Sequence, residues 1–291
     1  MATRASWAGG RTESQGRPPA AESALADDPV PADHYARSGE RWALGAELVY
    51  GPIAAELVAS SPRPLTGQIV LDAGAGTGAA SAALRRRQAR TLAVDLSHGM
   101  LAWRATARPP CAVADIRALP LPTAGVDAVV AAFVLNHLTE PEAGLTELAR
   151  VTRPDGAVLA AVFGNDSRSE ARDRIDAAAL AAGWHIPDWY RQLKTAAAPM
   201  LGTAPAMGAA ARAAGLTAVR ADERRVDVGV TRARQLVRYR LSHPAFAVWL
   251  DALGPHGALV FAGEAERAVG AEMEPFRPTV VFLRALVPGC G

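Results

Sequence analysis

The chain has 291 residues, of which 50% are hydrophobic and 21% are charged, and its formal net charge is +2. This length can bury a large core as one large domain or two small ones, and the spread-out arginines with no basic stripe argue against a nucleic-acid-binding surface. Cys111 and Cys290 are too few for a disulfide framework or a zinc site, and with neither a long apolar run nor a secretory signal we expect a cytoplasmic protein without a membrane span.

The first part of the chain predicts a tail followed by helices. Residues 1–30 are rich in Ala, Gly, Pro, Ser and charge, which predicts disorder. From Ala32 to Ala59 the apolar positions follow helical spacing, and Gly51-Pro52 is expected to divide this stretch into two helices. Residues 31–66 are therefore predicted to be N-terminal helices.

Strands and helices alternate in the next part of the chain. Apolar strand patterns occur at 68–72, 91–95, 111–114, 126–134 and 157–163, with helical patterns at 77–88, 97–107 and 141–151. The continuous apolar run 126–134 is typical of a strand buried on both faces. This order predicts an α/β domain with a parallel sheet and right-handed crossovers.

The regular alternation of strand and helix patterns ends after Phe163. Residues 164–204 and 231–275 are predicted to be helical insertions that cover the strand ends, and they flank a helix at 206–214 and a strand at 217–228. A last strand follows at 279–286. We therefore expect residues 31–291 to form a single domain whose ligand-binding core is 67–163.

The stretch Val70–Gly78, VLDAGAGTG, predicts a ligand site. Its glycines follow the first strand, and open α/β sheets bind ligands at the carboxyl ends of their strands. Glycine lets the backbone turn tightly and approach a ligand closely. A Walker A loop is excluded because no Gly-Lys-Ser/Thr follows.

A dinucleotide site remains an alternative at this point. Gly74, Gly76 and Asp95, which ends the second strand, approximate the dinucleotide fingerprint, and an acid there would bind the ribose that several ligands contain. Tyr190 and Lys194 even have the Tyr-x3-Lys spacing of short-chain dehydrogenases, but they fall in an insertion and the glycine spacing does not suit those enzymes.

Asp72 favours a different ligand. A carboxylate just before the loop would repel a pyrophosphate seated on it, and it would attract the ammonium group of a methionine moiety. The residue before the glycines thus indicates S-adenosylmethionine over a dinucleotide.

Four segments in order resemble one family. VLDAGAGTG, LAVDLSHGML (92–101), ADIRALPLPTAGVDAVVAAFVLNHL (114–138) and ELARVTRPDGAVL (147–159) are similar to the motifs of class I S-adenosylmethionine-dependent methyltransferases. The branch with ubiquinone and menaquinone methyltransferases is the most similar, and the match covers about 68–163. This resemblance implies a Rossmann-like, doubly wound, mostly parallel seven-stranded sheet with an antiparallel last strand.

The resemblance also implies cofactor-binding residues. The loop would hold the methionine part and open the next helix, Asp95 would bind the ribose hydroxyls, and Asp115 would accept from the adenine amino group. The full set of implied cofactor-binding residues is Tyr35, Asp72, Ala73, Gly74, Gly76, Thr77, Gly78, Asp95, Leu96, Met100, Asp115, Ile116, Phe133, His137 and Leu138.

The acceptor side is predicted from residue chemistry. His137, which the resemblance places near the methyl group, and His185 are candidate general bases because histidine titrates near neutral pH. Aromatic and histidine side chains of the insertions would bind the acceptor, namely Trp184, His185, Trp189, Tyr190, Tyr239 and His243. Tyr35 and Trp42 could close over the cofactor, and no His/Cys/Asp cluster has metal-ligand spacing.

The predicted function is methyl transfer from S-adenosylmethionine to a small hydrophobic or aromatic molecule. Nucleic-acid and protein acceptors are disfavoured because residues 131–138 lack the Asn/Asp-Pro-Pro-aromatic pattern of enzymes that methylate amide or adenine nitrogens. The alternatives are a non-methylating cyclisation or rearrangement on the same cofactor site, a nicotinamide-dependent oxidoreductase and a binding-only subunit. The acceptor, the atom methylated and the oligomeric state are not predicted.

Overall fold

The structure is a computed structural model that describes residues 33–36 and 38–289. The predicted disordered tail, residues 1–30, and Cys290 lie outside these residues. Cys111 is an exposed free thiol.

The described residues form one seven-stranded sheet in the order β3-β2-β1-β4-β5-β7-β6. Its strands are β1 (Ile69–Ala73), β2 (Arg90–Asp95), β3 (Cys111–Val113), β4 (Val126–Ala132), β5 (Thr152–Phe163), β6 (Thr217–Arg225) and β7 (Thr279–Leu286). Strands β1 to β5 pair in parallel, whereas β7 is antiparallel to both β5 and β6. The predicted fold class and the reversed last strand are therefore confirmed.

Helices cover both faces of the sheet and the carboxyl ends of its strands. They are α1 (Asp33–Ala36), α2 (Gly39–Ala59), α3 (Ala79–Arg86), α4 (His98–Ala102), α5 (Pro141–Val151), α6 (Glu170–Ala181), α7 (Asp188–Gln192), α8 (Ala204–Ala213), α9 (Ala233–Leu241) and α10 (Ala247–Val269). A π-helical turn, Leu193–Ala197, extends α7, and short 3-10 turns lie at Ala105–Ala107, Leu135–His137, Ala198–Leu201 and Pro244–Phe246.

Strand β4 shows why the central strands are uninterrupted apolar runs in the sequence. Ala128 and Val130 belong to the hydrophobic cluster on one face of the sheet, and Val129 and Ala131 belong to the cluster on the other. Because successive side chains of a strand alternate between faces, a strand covered by helices on both sides needs apolar residues at every position.

The prediction that Gly51-Pro52 divides the N-terminal helices is wrong. Helix α2 runs from Gly39 to Ala59 with Pro52 inside it. The flanking residues Val49, Ile53 and Leu57 are fully buried, and this packing outweighs the hydrogen bond that proline removes. The predicted helix 97–107 also ends early, because α4 stops at Ala102 and a 3-10 turn follows.

Two helical segments, Gly39–Ala59 and Pro244–Val269, are long and apolar enough to cross a membrane by length and composition alone. The first packs against the sheet and α3, with 44% of its most apolar window buried. The second is kinked at Gly254 and exposes Val248, Leu259 and Val260. The absence of a membrane span and the cytoplasmic location therefore stay predictions.

Candidate active site

A cavity of about 680 Å³ lies at the carboxyl ends of the central strands. The segments that follow β1, β2, β3, β4 and β5 form its walls on the sheet side, and α1, α2, α6, α7 and α9 contribute the residues that close it. Its volume falls in the range of small-molecule sites, roughly 300–1,000 Å³. The position agrees with the rule that open α/β sheets bind ligands beyond the carboxyl ends of their strands.

The glycine loop runs along one wall of this cavity with three residues in left-handed conformations. Gly74, Gly76 and Gly78 have φ angles of 70°, 51° and 102°. A Cβ atom on Gly74 would lie 2.4 Å from the Val134 side chain, so the loop and the segment after β4 approach closely only because this residue is glycine. This close approach brings the backbone to the place where a ligand would lie.

Asp72 carries the unusual electrostatic feature of the site. Its side chain is 1% exposed; Oδ2 accepts a 2.6 Å hydrogen bond from Ser81 Oγ, whereas Oδ1 is buried without a partner in the described residues. Burial raises its pKa to about 6, although the Ser81 hydrogen bonds and the charge of Arg108 act the other way. A buried carboxylate oxygen without a partner fits a ligand cation, because a positive charge there would offset its desolvation.

Asp95 organises the loop as well as facing the cavity. Its Oδ2 accepts from the backbone N–H of Gly76 at 2.7 Å, and its Oδ1 accepts from Ser97 N–H at 2.8 Å. Burial raises the pKa of this carboxyl despite those two hydrogen bonds. Since each carboxylate oxygen has a second acceptor site, Asp95 can hold the loop and still accept from two ligand hydroxyls.

Arg108 is a site residue that the sequence analysis missed. It donates from Nη2 to the Gly76 carbonyl at 2.9 Å and from Nη1 to the Met100 carbonyl at 3.2 Å. Its charge lowers the pKa of both Asp72 and Asp95. No spacing or motif marks this residue, because it reaches the loop from the segment before β3, 32 residues away in sequence from Gly76.

Asp115 lines the cavity but already has a partner. Arg117 donates to it from Nη2 at 2.7 Å and from Nε at 3.0 Å, and its backbone N–H adds a bond of 2.8 Å. These bonds and the Arg117 charge outweigh burial and lower the pKa of Asp115. Asp115 is therefore held as an ionised acceptor at the cavity wall beside Ile116.

Phe133 has a strained backbone where β4 gives way to the cavity. Its φ of 61° is rare for a bulky residue, and its N–H donates to the Ala161 carbonyl at 2.8 Å. Its ring packs edge-on against Tyr50, with a centroid distance of 4.7 Å, and against Phe163 at 4.6 Å. The strain turns the chain so that the following residues Val134–Leu138 pass along the cavity.

His137 lies on this turn and lines the cavity. The residue is half-buried, and desolvation by the surrounding protein lowers its pKa to about 4 against the effect of a hydrogen bond with the Phe133 backbone. The ring of Tyr35 meets it edge-on, with centroids 5.8 Å apart. His137 is therefore uncharged at neutral pH and can accept a proton.

Aromatic rings from the N-terminal helices also line the cavity. Tyr35 and Trp42 pack edge-on at 5.7 Å, and Trp42 lies 5.1 Å from Tyr50. Tyr50 and Phe163 were not predicted as site residues. The position of Phe163 at the carboxyl end of β5 is the signal that could have found it, while Tyr50 sits inside a long helix and carries no such signal.

The structure separates the six residues predicted to bind the acceptor. Tyr190, Tyr239 and His243 line the cavity, whereas Trp184, His185 and Trp189 do not. Trp184 is core: it is 2% exposed, its ring stacks on Phe246, and its Nε1 donates to the Ala245 carbonyl at 3.0 Å. Because its N–H group and its ring already have partners in the core, Trp184 is not available to an acceptor, and its assignment to the acceptor site is corrected.

His185 and Trp189 also lie elsewhere. His185 is exposed outside the cavity, so it is not retained as a candidate base. Trp189 stacks on His34 of α1, with centroids 4.5 Å apart, and helps to pack the cover. Both corrections have one cause: residues that are adjacent in sequence point to different sides of the cover.

The residues implied to bind the cofactor also fall into two groups, those that line the cavity and those that do not. Most of the implied residues line the cavity, including Leu96, Met100, Thr77, Ile116 and Leu138, but Ala73 and Gly78 do not. Ala73 is fully buried in the core beneath the loop, and Gly78 begins α3. Among the residues that the structure describes, no group of three or more His, Cys, Asp or Glu could hold a metal ion.

The chain matches the methyltransferase domain family over residues 71–160. It is 36% identical over 137 residues to the demethylmenaquinone methyltransferase of Mycolicibacterium paratuberculosis, a match that covers 47% of this chain and 52% of that protein. The chain thus spans about half the length of this curated relative.

Two solved structures share the fold. One is Haemonchus contortus phosphoethanolamine N-methyltransferase 2 bound to S-adenosylhomocysteine, with a TM-score of 0.53 and 17% identity over 81% of this chain and 52% of that one. The other is the [4+2]-cyclase SpnF, with a TM-score of 0.50 and 21% identity over 82% of this chain and 80% of that one. The chain thus matches a methyltransferase domain over residues 71–160 and shares the fold of class I methyltransferases.

Proposed function

We propose that this protein transfers a methyl group from S-adenosylmethionine to a small molecule with a hydrophobic or aromatic body. The observation that carries the proposal is the buried Oδ1 of Asp72, which has no partner among the described residues and stands beside a loop that only glycine permits. A ligand that brings a cation to Asp72 and hydroxyl groups to Asp95 satisfies both acids. S-adenosylmethionine has both groups and supplies a methyl group activated on a positively charged sulfur.

The residues on the sheet side would bind and orient this donor. Asp72 binds the ammonium group, Asp95 accepts from the ribose hydroxyls, and Met100 with Ile116 packs against the base. Arg108 keeps the loop in shape through the Gly76 carbonyl. Fixing the donor and the acceptor in line contributes on the order of 7–11 kcal/mol to lowering the barrier.

The aromatic residues of the cover would hold the acceptor and exclude water. Tyr35, Trp42, Tyr50 and Phe133 form a continuous series of ring contacts, from the N-terminal helices to the end of β4. Their faces bind an apolar acceptor and tolerate a passing positive charge. His137 is the proposed proton acceptor, and a general base adds about two to four powers of ten in rate.

Calorimetric titration tests the proposal at its first step. The purified protein is titrated with S-adenosylhomocysteine and, separately, with NADH. Binding of the first ligand alone is expected, because Asp72 would repel a pyrophosphate; binding of NADH alone would replace the proposal with a nicotinamide-dependent reaction. Acceptor turnover must then release one S-adenosylhomocysteine per product, and product without it would indicate a cyclisation or rearrangement.

A further inference from the structure

The cover contributes a group of cations to the cavity. Arg168 and Arg172 stand on the segment after β5 and on α6, Lys194 on the π-helical turn, and Arg240 on α9. Lys194 is the single lysine of the chain. The acids proposed to face the donor, Asp72, Asp95 and Asp115, lie at or after the ends of core strands, whereas these four cations come from the cover.

One of these cations is neutralised within the protein. Arg240 is 6% exposed and forms a two-point ion pair with Asp176, at 2.6 Å from Nε and 2.8 Å from Nη2. Its Nη1 donates to the Tyr190 hydroxyl at 3.2 Å. This charge is therefore matched and structural, since a buried arginine needs a carboxylate to balance its desolvation.

Arg172 and Lys194 have no such match. Arg172 donates one hydrogen bond, from Nη2 to the Ser167 carbonyl at 3.1 Å, and within residues 33–36 and 38–289 neither cation forms an ion pair. Asp173 also lines the cavity but forms no ion pair with either of them. Most of the five donors of the guanidinium and all three of the ammonium are therefore left for a ligand.

Arg172 and Lys194 both act on His243. Lys194 lowers the pKa of His137, and both cations lower the pKa of His243 after the larger effect of burial. Although Lys194 keeps contact with solvent inside the cavity, the surrounding protein lowers its own pKa, and the charge of Arg172 adds to that effect. Two positive charges that share one side of a cavity repel each other, and a bound anion would relieve both.

We propose that the acceptor carries an anionic group, a carboxylate or a phosphate, which Arg172 and Lys194 bind while the aromatic rings hold its apolar body. This inference rests on the proposed function, because it assigns the acceptor side of the same cavity. It narrows the substrate class from apolar molecules in general to aromatic or apolar acids. Charge-assisted bonds to both cations would fix the register of the acceptor against the donor.

The test uses three probes that share one ring system. Protein saturated with S-adenosylhomocysteine is titrated by calorimetry with 2-naphthoate, with the neutral 2-naphthamide and with 2-naphthyl phosphate. We expect at least one anion to bind about ten to a hundred times more tightly than the amide, as charge-assisted hydrogen bonds imply. The order of the two anions distinguishes a carboxylate subsite from a phosphate subsite.

Matched variants test whether Arg172 and Lys194 cause the preference for the anion. Arg172→Met and Lys194→Met should each remove most of the preference for the anion and leave the affinity for S-adenosylhomocysteine unchanged. Arg238→Met removes an exposed charge of α9 that does not line the cavity, and it should keep the preference. Equal affinity for anion and amide, binding of neither at millimolar concentration, or a preference that survives both cavity variants would overturn the anion subsite. Failure to bind S-adenosylhomocysteine in the first place would overturn the proposed function instead.

Discussion

Replacing Asp72 by Asn should stabilise the free protein and weaken cofactor binding at the same time. In the folded protein burial raises the pKa of Asp72 from 3.8 to about 6, whereas in the unfolded chain the carboxyl keeps its ordinary pKa. Below about pH 4 the Asp72 carboxyl is protonated in both the folded and the unfolded protein, so it does not change the free energy of unfolding. Between about pH 4 and pH 6 the carboxyl ionises in the unfolded chain but stays protonated in the folded protein, so stability falls over this range, and above pH 6 the full cost of the shift is on the order of 3 kcal/mol.

The Asp72→Asn variant removes the free-energy cost of ionising this side chain while leaving its packing nearly unchanged. Asn has nearly the same shape and can still accept the Ser81 hydrogen bond, but it never ionises. The free energy of unfolding should therefore exceed that of the wild type by up to about 3 kcal/mol above pH 6, and the difference should vanish near pH 4. Urea denaturation of the two free proteins across this pH range measures it.

Binding should change in the opposite direction. Wild-type affinity for S-adenosylhomocysteine should rise by up to about a hundredfold as the pH rises through about 6, because the ionised carboxylate then meets the ammonium group. The variant should bind more weakly and without this pH dependence. 5′-Methylthioadenosine, which lacks the amino acid part, is the matched ligand and should bind both proteins alike. A variant that is less stable at every pH, or that binds S-adenosylhomocysteine as tightly as the wild type, would refute the assignment of Asp72.

Asp95→Ala should weaken S-adenosylhomocysteine binding by about 2–3 kcal/mol in calorimetry, because the ribose and the loop N–H groups lose one acceptor; an unchanged Kd would contradict its role. Gly74→Ala should destabilise the protein by about 1–3 kcal/mol more than Gly183→Ala, since both residues have positive φ but only the Gly74 Cβ meets Val134; equal urea midpoints would show that the close approach relaxes freely. His137→Ala should lower kcat about a hundredfold or more with unchanged cofactor affinity. Because the pKa of His137 is about 4, the wild-type kcat at saturating cofactor should fall only as the pH approaches that value, and a break in kcat near pH 6.5 would implicate another base.

The position at the cavity of the residues proposed to bind the donor was largely predictable from sequence, because most of these residues lie at or just after strand ends. Asp72 and Asp95 each end a strand of a parallel sheet, and topology alone brings such positions to one edge. Ser97 caps α4 from the end of β2, and its hydroxyl accepts from the Met100 N–H at 3.4 Å. Sequence patterns were sufficient here because strand ends and a helix cap determine where these residues lie.

The acceptor side was predicted less well because tertiary packing decides it. Trp184 and Tyr190 occur in one aromatic stretch, yet the first packs into the core against Phe246 and the second faces the cavity. Arg108 and Tyr50 reach the site across long sequence separations, and no periodicity records such contacts. The helix through Pro52 shows the same limit, since burial on both sides of the proline overrides its local preference.

Part of the proposed acceptor side comes from a separate part of the chain. Most of the residues proposed to bind the donor lie at or after the ends of strands β1 to β4, whereas Arg172, Lys194 and Tyr190 belong to the insertion that follows β5, and none of these three lies in a strand. Exchange of residues 164–204 and 231–275 for those of another protein with this fold would therefore leave the donor-binding loop and its acids intact. Under the proposed function, substitutions in these segments can change the acceptor without touching the acids proposed to bind the donor.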